Sequence, residues 1–547
     1  MWRHVACMGV VLFYAPKIVA QETESHDHAT ERLGRVSFPV SCTPLAQRRF
    51  EHAMAVLHSF WWEEGDAAFS RVLEADPQCA MAYWGLAMNA WGNPFAGGPT
   101  GINLTRGAAA AQKARSFPAR TPREAGFISA VSALYSDAAS TSNTARLQAY
   151  ADTMARLYRD FPEDTEVATY HALALVATAP KTDTTFAQQK RAAEILDPLF
   201  ALHPDHPGLA HYVIHSTDSP QLAQYGLRAA RRYARIAPSA PHAQHMPSHI
   251  FIRLGYWDET VASNQAAFRA GIASASARRT PPAGEQLHAL DYAVYAHLQR
   301  GQDSAAEATV AVAQGLAIPQ GKSLVGDYNR TAMAARIPLE RGNWAQAARF
   351  PIAQMQGAGT QAMLSRFTRA IGAARSGNAR AARAEVAALD SLLTKLAAEK
   401  KEPYWARVTA IKRDAARAWV LFAEGDTAGA LVLARAAADS EEVTDKHPVT
   451  PAELLPAREL EADMLLEAGR YMEARKAYQA TLAREPGRAR SLYGSARAAE
   501  LAGNHSDARA DYSKFITLMS KADGNRAELV AAMRYVKSGA ASPNDRL

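Results

Sequence analysis

The sequence predicts an all-α protein, a superhelical solenoid of stacked helix-turn-helix hairpins. Three observations lead to this fold class. Small and aromatic residues recur at a fixed period near the C-terminus. Apolar residues follow helical spacing, with no sustained two-residue alternation of the kind that marks strands. Alanine is abundant while valine and isoleucine are modest, which favours helices over sheets.

The repeat is clearest near the C-terminus, where a glycine, an alanine and a tyrosine return together at the same spacing: Gly469, Ala474 and Tyr478, then Gly503, Ala508 and Tyr512. The glycine closes the first helix of a hairpin, and the alanine lets two helices approach closely. The step from one set to the next resembles the tetratricopeptide repeat, whose period is about 34 residues. The resemblance implies a stack of helix pairs whose usual role is to bind partners.

Four upstream glycines each precede an alanine by the same interval: Gly301 and Ala306, Gly342 and Ala347, Gly377 and Ala382, Gly425 and Ala430. We therefore expect roughly ten to twelve hairpins. The steps between successive turn glycines are uneven, which indicates insertions in several loops. The stretch His-Pro-Val-Thr-Pro at 447–451 predicts a break. It separates a repeat array at 39–446 from C-terminal repeats at 447–537, and a disordered tail follows at 538–547.

The N-terminus predicts export. Basic residues precede an apolar run over residues 5–14 and small residues follow it, which is the pattern of a signal peptide at 1–20. A flexible leader then covers 21–38, and we expect a periplasmic or secreted protein. A misassigned start is the alternative. Beyond the signal peptide, Cys42 and Cys79 form either a disulfide, as an oxidising compartment favours, or two buried thiols.

The charge pattern excludes one class of partner. The 547 residues carry a formal net charge of +7, but arginines are interspersed with acidic residues and no long block of like charges occurs. This pattern indicates a solvated surface, so we expect no nucleic-acid partner. After the signal peptide, no segment is apolar for long enough to span a bilayer, so we expect no membrane span.

Two histidine pairs occupy the same register of neighbouring hairpins. His211 and His215 recur one repeat period later as His245 and His249. Each histidine therefore takes the same place on the first helix of its hairpin. Residues i and i+4 share a helix face, and packed helices lie ~8–10 Å apart. The four side chains can thus converge on one ion.

Four further residues extend these stripes. Asp218 continues the first stripe and His242 the second, while His288 and Asp291 take the corresponding places in the next hairpin. Resemblance to the tetratricopeptide family implies that these places line the concave groove where ligands dock. Eight candidate metal ligands then face one stretch of groove: His211, His215, Asp218, His242, His245, His249, His288 and Asp291.

This donor set suits a divalent transition metal such as zinc, copper or iron. An ion with an open coordination position would activate water for hydrolysis. However, neither a zincin signature nor a nucleophile elbow occurs, so the sequence identifies no catalytic residue. Two alternatives stay open. The histidines shape the fold through hydrogen bonds to loop backbone, or the groove is a metal-free scaffold that holds a peptide or protein.

Two motifs resemble a group of bacterial tetratricopeptide-repeat proteins: HPGxAHYxIH at 206–215 and HMPSHIFxRLGxW at 245–257. The resemblance covers most of residues 37–345, and it includes SFPVSC at 37–42, HSFWW at 58–62, CAMAYWGLAM at 79–88 and HALDYAVYAHLQRG at 288–301. It implies an exported bacterial repeat protein and supplies no activity. The residues that match its characteristic stretches are His211, His215, His245, His249, His288 and Asp291.

Overall fold

The computed structural model describes residues 31–118, 121–180, 182–282, 284–318, 324–352, 359–399, 403–524 and 526–538. Within these ranges the chain forms 26 α-helices and a 3-10 turn at Pro94–Ala96, and it has no strand. The all-α prediction is therefore confirmed. The predicted signal peptide, most of the leader and all but the first residue of the predicted tail lie outside the described residues.

Most of the helices follow one another through short turns. The first fifteen are α1 Pro44–His58, α2 Trp62–Ala75, α3 Ala80–Trp91, α4 Gly101–Arg115, α5 Pro122–Tyr135, α6 Asn143–Asp160, α7 Thr165–Thr178, α8 Ala187–Leu202, α9 Pro207–Thr217, α10 Ala223–Ile236, α11 Pro241–His245, α12 Pro247–Leu254, α13 Trp257–Ala277, α14 Gly284–Gln299 and α15 Asp303–Gly315. The remaining eleven are α16 Leu324–Glu340, α17 Trp344–Ala348, α18 Thr360–Arg375, α19 Ala379–Glu399, α20 Pro403–Ala423, α21 Thr427–Glu442, α22 Ala457–Glu467, α23 Tyr471–Arg484, α24 Ala489–Leu501, α25 His505–Leu518 and α26 Ala527–Lys537.

Consecutive helices pack as antiparallel pairs, from α1 with α2 to α24 with α25. The described residues contain twelve such hairpins when α11 and α12 are taken together as one first helix, which agrees with the predicted number. First helices also pack on the first helices of neighbouring hairpins, as α16 does on α18. The predicted turn glycines follow the first helices with positive φ, for example 67° at Gly301 and 77° at Gly503. Such φ values favour glycine.

Hairpins that are distant in the sequence contact one another. Helix α1 contacts α9, four hairpins further along the chain. The last hairpins contact the middle ones, because the Trp257 indole donates to the Gly487 carbonyl at 3.2 Å. In addition, the Ala489 amide donates to the Gln299 side chain at 3.0 Å. These contacts place the C-terminal repeats against α13 and α14.

The non-helical segment 443–456, which joins α21 to α22, lies against His288 at one end of the histidine row. Its Val449 carbonyl accepts a hydrogen bond from His288 Nδ1 at 3.1 Å, and its Ala452 carbonyl accepts one from Arg336 at 2.9 Å. The helices are interrupted at the predicted break at 447–451, and the division into two repeat arrays there stays a prediction. The segment also contacts the cluster's surroundings through Lys446, which lies 3.5 Å from Asp218.

Near the N-terminus, Cys42 and Cys79 form a disulfide. It ties the segment before α1 to the start of α3, with the two Cα atoms 5.3 Å apart. Among the described residues, no helix combines the length and the apolar character needed to cross a bilayer.

Candidate metal centre

The HPG motif sets the position of α9. His206 precedes the helix, and its Nδ1 accepts a hydrogen bond from the Leu209 amide at 3.2 Å. Pro207 starts the helix, where no intrahelical amide donor is required. A Cβ on Gly208 would lie 2.4 Å from His58 Nδ1, so only glycine lets α9 approach the end of α1 this closely.

His211, His215 and His242 form the first triad. Their ligand atoms all lie within 4.8 Å of one another. The Nε2 atoms of His211 and His215, one helical turn apart on α9, are 3.0 Å from each other. His211 Nδ1 donates to the His58 carbonyl at 2.6 Å, which turns its Nε2 toward the other two rings. His242 Nε2 is buried and has no hydrogen-bond partner.

His245, His249 and His288 form the second triad, and their ligand atoms also lie within 4.8 Å of one another. All three side chains are buried. Pro247 separates α11 from α12, yet the Nε2 atoms of His245 and His249 are 3.0 Å apart. The sequence prediction that each histidine pair shares a face therefore matches the structure. His288 joins them from α14, with its Nδ1 held by segment 443–456.

The hydrogen bonds behind the second triad fix its tautomers. His245 Nδ1 lies 2.6 Å from Asn264 Oδ1, and the Asn264 amide group donates to the Thr260 carbonyl, so Oδ1 accepts from His245. His249 Nδ1 lies 2.8 Å from an oxygen of Asp218, which accepts as well. Each Nδ1 therefore carries the proton of a neutral imidazole, and each Nε2 holds a lone pair. The two Nε2 lone pairs then lie 3.0 Å apart, and the Tyr292 hydroxyl lies 3.3 Å from His249 Nε2.

The two triads adjoin and are together called the six-histidine cluster. The ring centroids of His215 and His249 are 6.1 Å apart, and those of His242 and His245 are 6.0 Å apart. Each of these pairs takes one ring from each triad. The cluster therefore offers two neighbouring ligand sets.

Burial keeps the cluster neutral. Two effects lower the pKa of these histidines. Burial is the larger, and repulsion from the charge that neighbouring imidazoles would carry is the second. The pKa is well below the usual value for His211, His215, His242 and His288. The same effects lower the pKa of His245 to about 3, and burial also lowers the pKa of His249 despite its contact with Asp218. Neutral imidazole is the form that binds metal.

Asp218 and Asp291 are not members of either triad. Asp218 accepts from His249 and, at 2.9 Å, from Arg253 Nε, and Lys446 lies 3.5 Å away. Burial opposes ionisation of Asp218, but these three groups outweigh it and hold its pKa well below the usual value. Asp291 pairs with Arg336 at 2.8 Å, and both side chains are fully buried. The structure thus places Asp218 behind the His249 ring and commits Asp291 to an ion pair.

A third cluster, which the sequence analysis missed, lies beside the first triad. The Nε2 atoms of His58 and His206 donate to Glu166 at 3.0 and 2.8 Å. Their Nδ1 atoms are also paired, His58 with the Tyr212 hydroxyl at 3.1 Å and His206 with the Leu209 amide. Burial opposes ionisation of Glu166, but the two imidazoles lower its pKa. Every ligand atom here has a hydrogen-bond partner, so this cluster is complete without an ion.

This third cluster carries a weak sequence signal. His58 and His206 lie inside the motifs HSFWW and HPGxAHYxIH, but they do not follow the register of the repeat. Glu166 comes from α7, three hairpins after α1, and no motif accompanies it. The cluster helps to orient the first triad, because the His58 carbonyl accepts a hydrogen bond from His211.

Comparison with known proteins identifies the repeat. The family model described as "Tetratricopeptide repeat" matches residues 460–523, which run from α22 through α25. The chain is therefore a repeat protein that carries tetratricopeptide repeats. No curated protein matches its sequence. The resemblance to a particular exported bacterial group stays a prediction.

Solved structures are similar to this chain at low sequence identity. Yeast Tom70 is 10% identical over 90% of this chain and 88% of that chain, with a TM-score of 0.27. The human IFIT1 dimer with m7Gppp-AAAA is 12% identical over 80% of this chain and 90% of that chain, with a TM-score of 0.31. At these TM-scores, neither overall shape nor function is carried over to this protein.

Proposed function

We propose that the protein binds transition-metal ions at the six-histidine cluster, one ion in each triad. The observation that carries this proposal is the pair of Nε2 lone pairs of His245 and His249, which face each other at 3.0 Å. Lone pairs repel at this distance unless a cation lies between them. Nδ1 donors anchored to carbonyl, amide or carboxylate oxygens are the arrangement that orients metal-binding histidines.

The orphaned nitrogen of the first triad supports the same conclusion. His242 Nε2 is buried without a hydrogen-bond partner, although buried polar atoms are nearly always satisfied. The third cluster serves as an internal comparison. There the same chain pairs two buried histidines with a carboxylate and leaves no nitrogen unpaired. Within the six-histidine cluster, His242 Nε2 is the nitrogen without such a partner.

Three neutral imidazoles per ion favour zinc or copper. Nitrogen-only sites suit these late metals, whereas carboxylate-rich sites suit magnesium, calcium and manganese. Three protein ligands leave the fourth position of a tetrahedral ion open, as in catalytic zinc sites. An ion bound there would polarise a water or a substrate oxygen. The chain's own contribution is to orient the nitrogens through Asn264, Asp218 and Val449.

Elemental analysis of the purified, untagged protein tests the proposal. We expect about two equivalents of zinc or copper per chain, one for each three-ligand set. His215→Ala and His288→Ala should each lose one equivalent, because each removes a ligand from a different triad. His505→Ala is the matched control, since His505 pairs with Tyr535 far along the chain, outside both triads.

Two outcomes would decide the matter. Loss of one equivalent in each triad variant, with two retained in the control, supports a two-ion centre. A folded wild-type protein that retains no metal after incubation with zinc and with copper overturns the proposal. It would favour the metal-free peptide or protein scaffold, which tetratricopeptide repeats usually form.

We also propose that the protein is exported. The basic and apolar start of the sequence fits a signal peptide, and the Cys42–Cys79 disulfide is typical of oxidising compartments. Fractionation of a bacterium that expresses the full chain tests this proposal. A chain of unchanged N-terminus that stays with cytosolic markers would contradict it.

A further inference from the structure

A cavity of about 370 Å³ opens against the six-histidine cluster. Its wall includes His242 from the first triad and His245 from the second, so it meets the cluster where the two triads adjoin. The rest of the wall comes from α13, from the segment between α13 and α14, from the start of α14 and from the turn between α1 and α2. Its volume falls in the range of small-molecule sites, about 300–1,000 Å³.

An aromatic turn forms one side of this cavity. Phe60 and Trp61 both line it. Phe60 has a φ of 50°, in the left-handed region that a bulky residue rarely adopts. Its ring centroid lies 4.4 Å from that of His211 and 5.5 Å from that of His242. Strained residues of this kind concentrate at functional sites, where the surrounding structure holds them.

Two carboxylates, Glu63 and Glu285, line the same cavity. Both carboxylates are exposed, and the charge of Glu63 acts on Glu285. Arg278 is the cation in the wall, and its guanidinium donates to the Ser274 hydroxyl. Two carboxylates thus share a small cavity with one cation, so a positively charged guest would relieve their repulsion.

We propose that this cavity binds a small organic ammonium ion and presents it to the metal centre. The charged end lies between Glu63 and Glu285, with the Trp61 ring alongside, since aromatic faces attract ammonium groups. The neutral end points toward His242 and His245. The inference rests on the proposed function only for the metal ions near the neutral end of the guest. The ammonium site itself depends only on the cavity.

Calorimetric titration of the metal-loaded protein tests the inference. The probe is benzylammonium, and benzyl alcohol serves as its neutral counterpart of similar shape. We expect one benzylammonium per chain, bound at least tenfold more tightly than the alcohol. Glu285→Gln should remove this preference, and Glu63→Gln should reduce it. Glu74→Gln is the matched control, because Glu74 lies on the same helix as Glu63 but is 67% exposed and outside the cavity.

The outcomes separate this inference from the proposed function, because metal content is measured on the same samples. Equal binding of benzylammonium and benzyl alcohol, or no binding of either, overturns the ammonium site even when two metal equivalents are present. Selective benzylammonium binding by a protein without metal supports the site and contradicts the metal centre. Each variant is first shown to keep the wild-type melting temperature. If Glu285→Gln fails to fold, Glu63→Gln decides the charge dependence.

Discussion

Replacing Asp218 with asparagine isolates the role of one buried charge behind the six-histidine cluster. The carboxylate accepts hydrogen bonds from His249 and Arg253, and Lys446 lies 3.5 Å away. Asparagine has nearly the same shape, and its amide oxygen can still accept the hydrogen bond from His249. The substitution therefore removes the Asp218 charge from Arg253 and Lys446, which keep the attraction of Asp445, 3.8 Å from Arg253.

The expected cost follows from burial. The side chains of Asp218 and Arg253 are only 12% and 11% exposed, so water replaces the lost charge poorly. Removing one partner of a buried ion pair costs about 3–5 kcal/mol. The pKa of Asp218 is lower in the folded protein than in the unfolded chain, where it is about 3.9. Its contribution is therefore complete above that value and is lost as pH falls through the lower folded pKa.

Urea denaturation of the metal-free protein measures this effect. At pH 7 we expect Asp218→Asn to lower the free energy of unfolding by about 3–5 kcal/mol. The difference from wild type should shrink as pH falls below about 4. Asp197→Asn is the control, because Asp197 pairs with Arg228 at the surface, where such pairs contribute about 0–1 kcal/mol. A loss no larger than in the control, or a difference independent of pH, would refute this reasoning.

Three further predictions concern the contact of Gly208 with His58, the Cys42–Cys79 disulfide and metal binding. Gly208→Ala should lower the free energy of unfolding by about 1–3 kcal/mol in urea, because its Cβ meets a His58 ring that Glu166 holds in place; an unchanged midpoint would contradict this. Reducing the Cys42–Cys79 bond should cost about 2–5 kcal/mol in the same assay, and equal stability with and without reductant would argue against it. Zinc at 100 times its dissociation constant should add about 2.7 kcal/mol per site by thermal melting, whereas an unaltered melting curve would count against binding.

Much of the fold follows from the sequence, because a repeat architecture is local. Each hairpin contacts mainly its neighbours. The period of the sequence therefore predicts both which helices pair and how the pairs stack. The same period placed His211 and His215 beside His245 and His249 on neighbouring first helices. Their close Nε2 contacts follow from the helical i, i+4 spacing within each pair.

The candidate site was predictable only in part. Whether a side chain is free to bind a metal depends on its hydrogen-bond and ion-pair partners, which the sequence pattern does not show. Asp291 occupies the register of the row, but Arg336, from the next hairpin, neutralises it in a buried ion pair. His58, Glu166 and His206 come from three separate hairpins, so no local period brings them together. Their contact depends on the curvature of the stack, which brings α1 against α9.

The sequence by itself determined the helical repeat, the number of hairpins and the row of histidines. Only the tertiary structure decided that most of the row is buried, that its histidines divide into two triads and that it adjoins a cavity with two carboxylates. The physical reason is the length scale of the interactions. Helix formation and pairing depend on residues a few positions or one period apart. Burial, tautomers and cavities depend on contacts between hairpins that are distant in the sequence, and on contacts of those hairpins with segment 443–456.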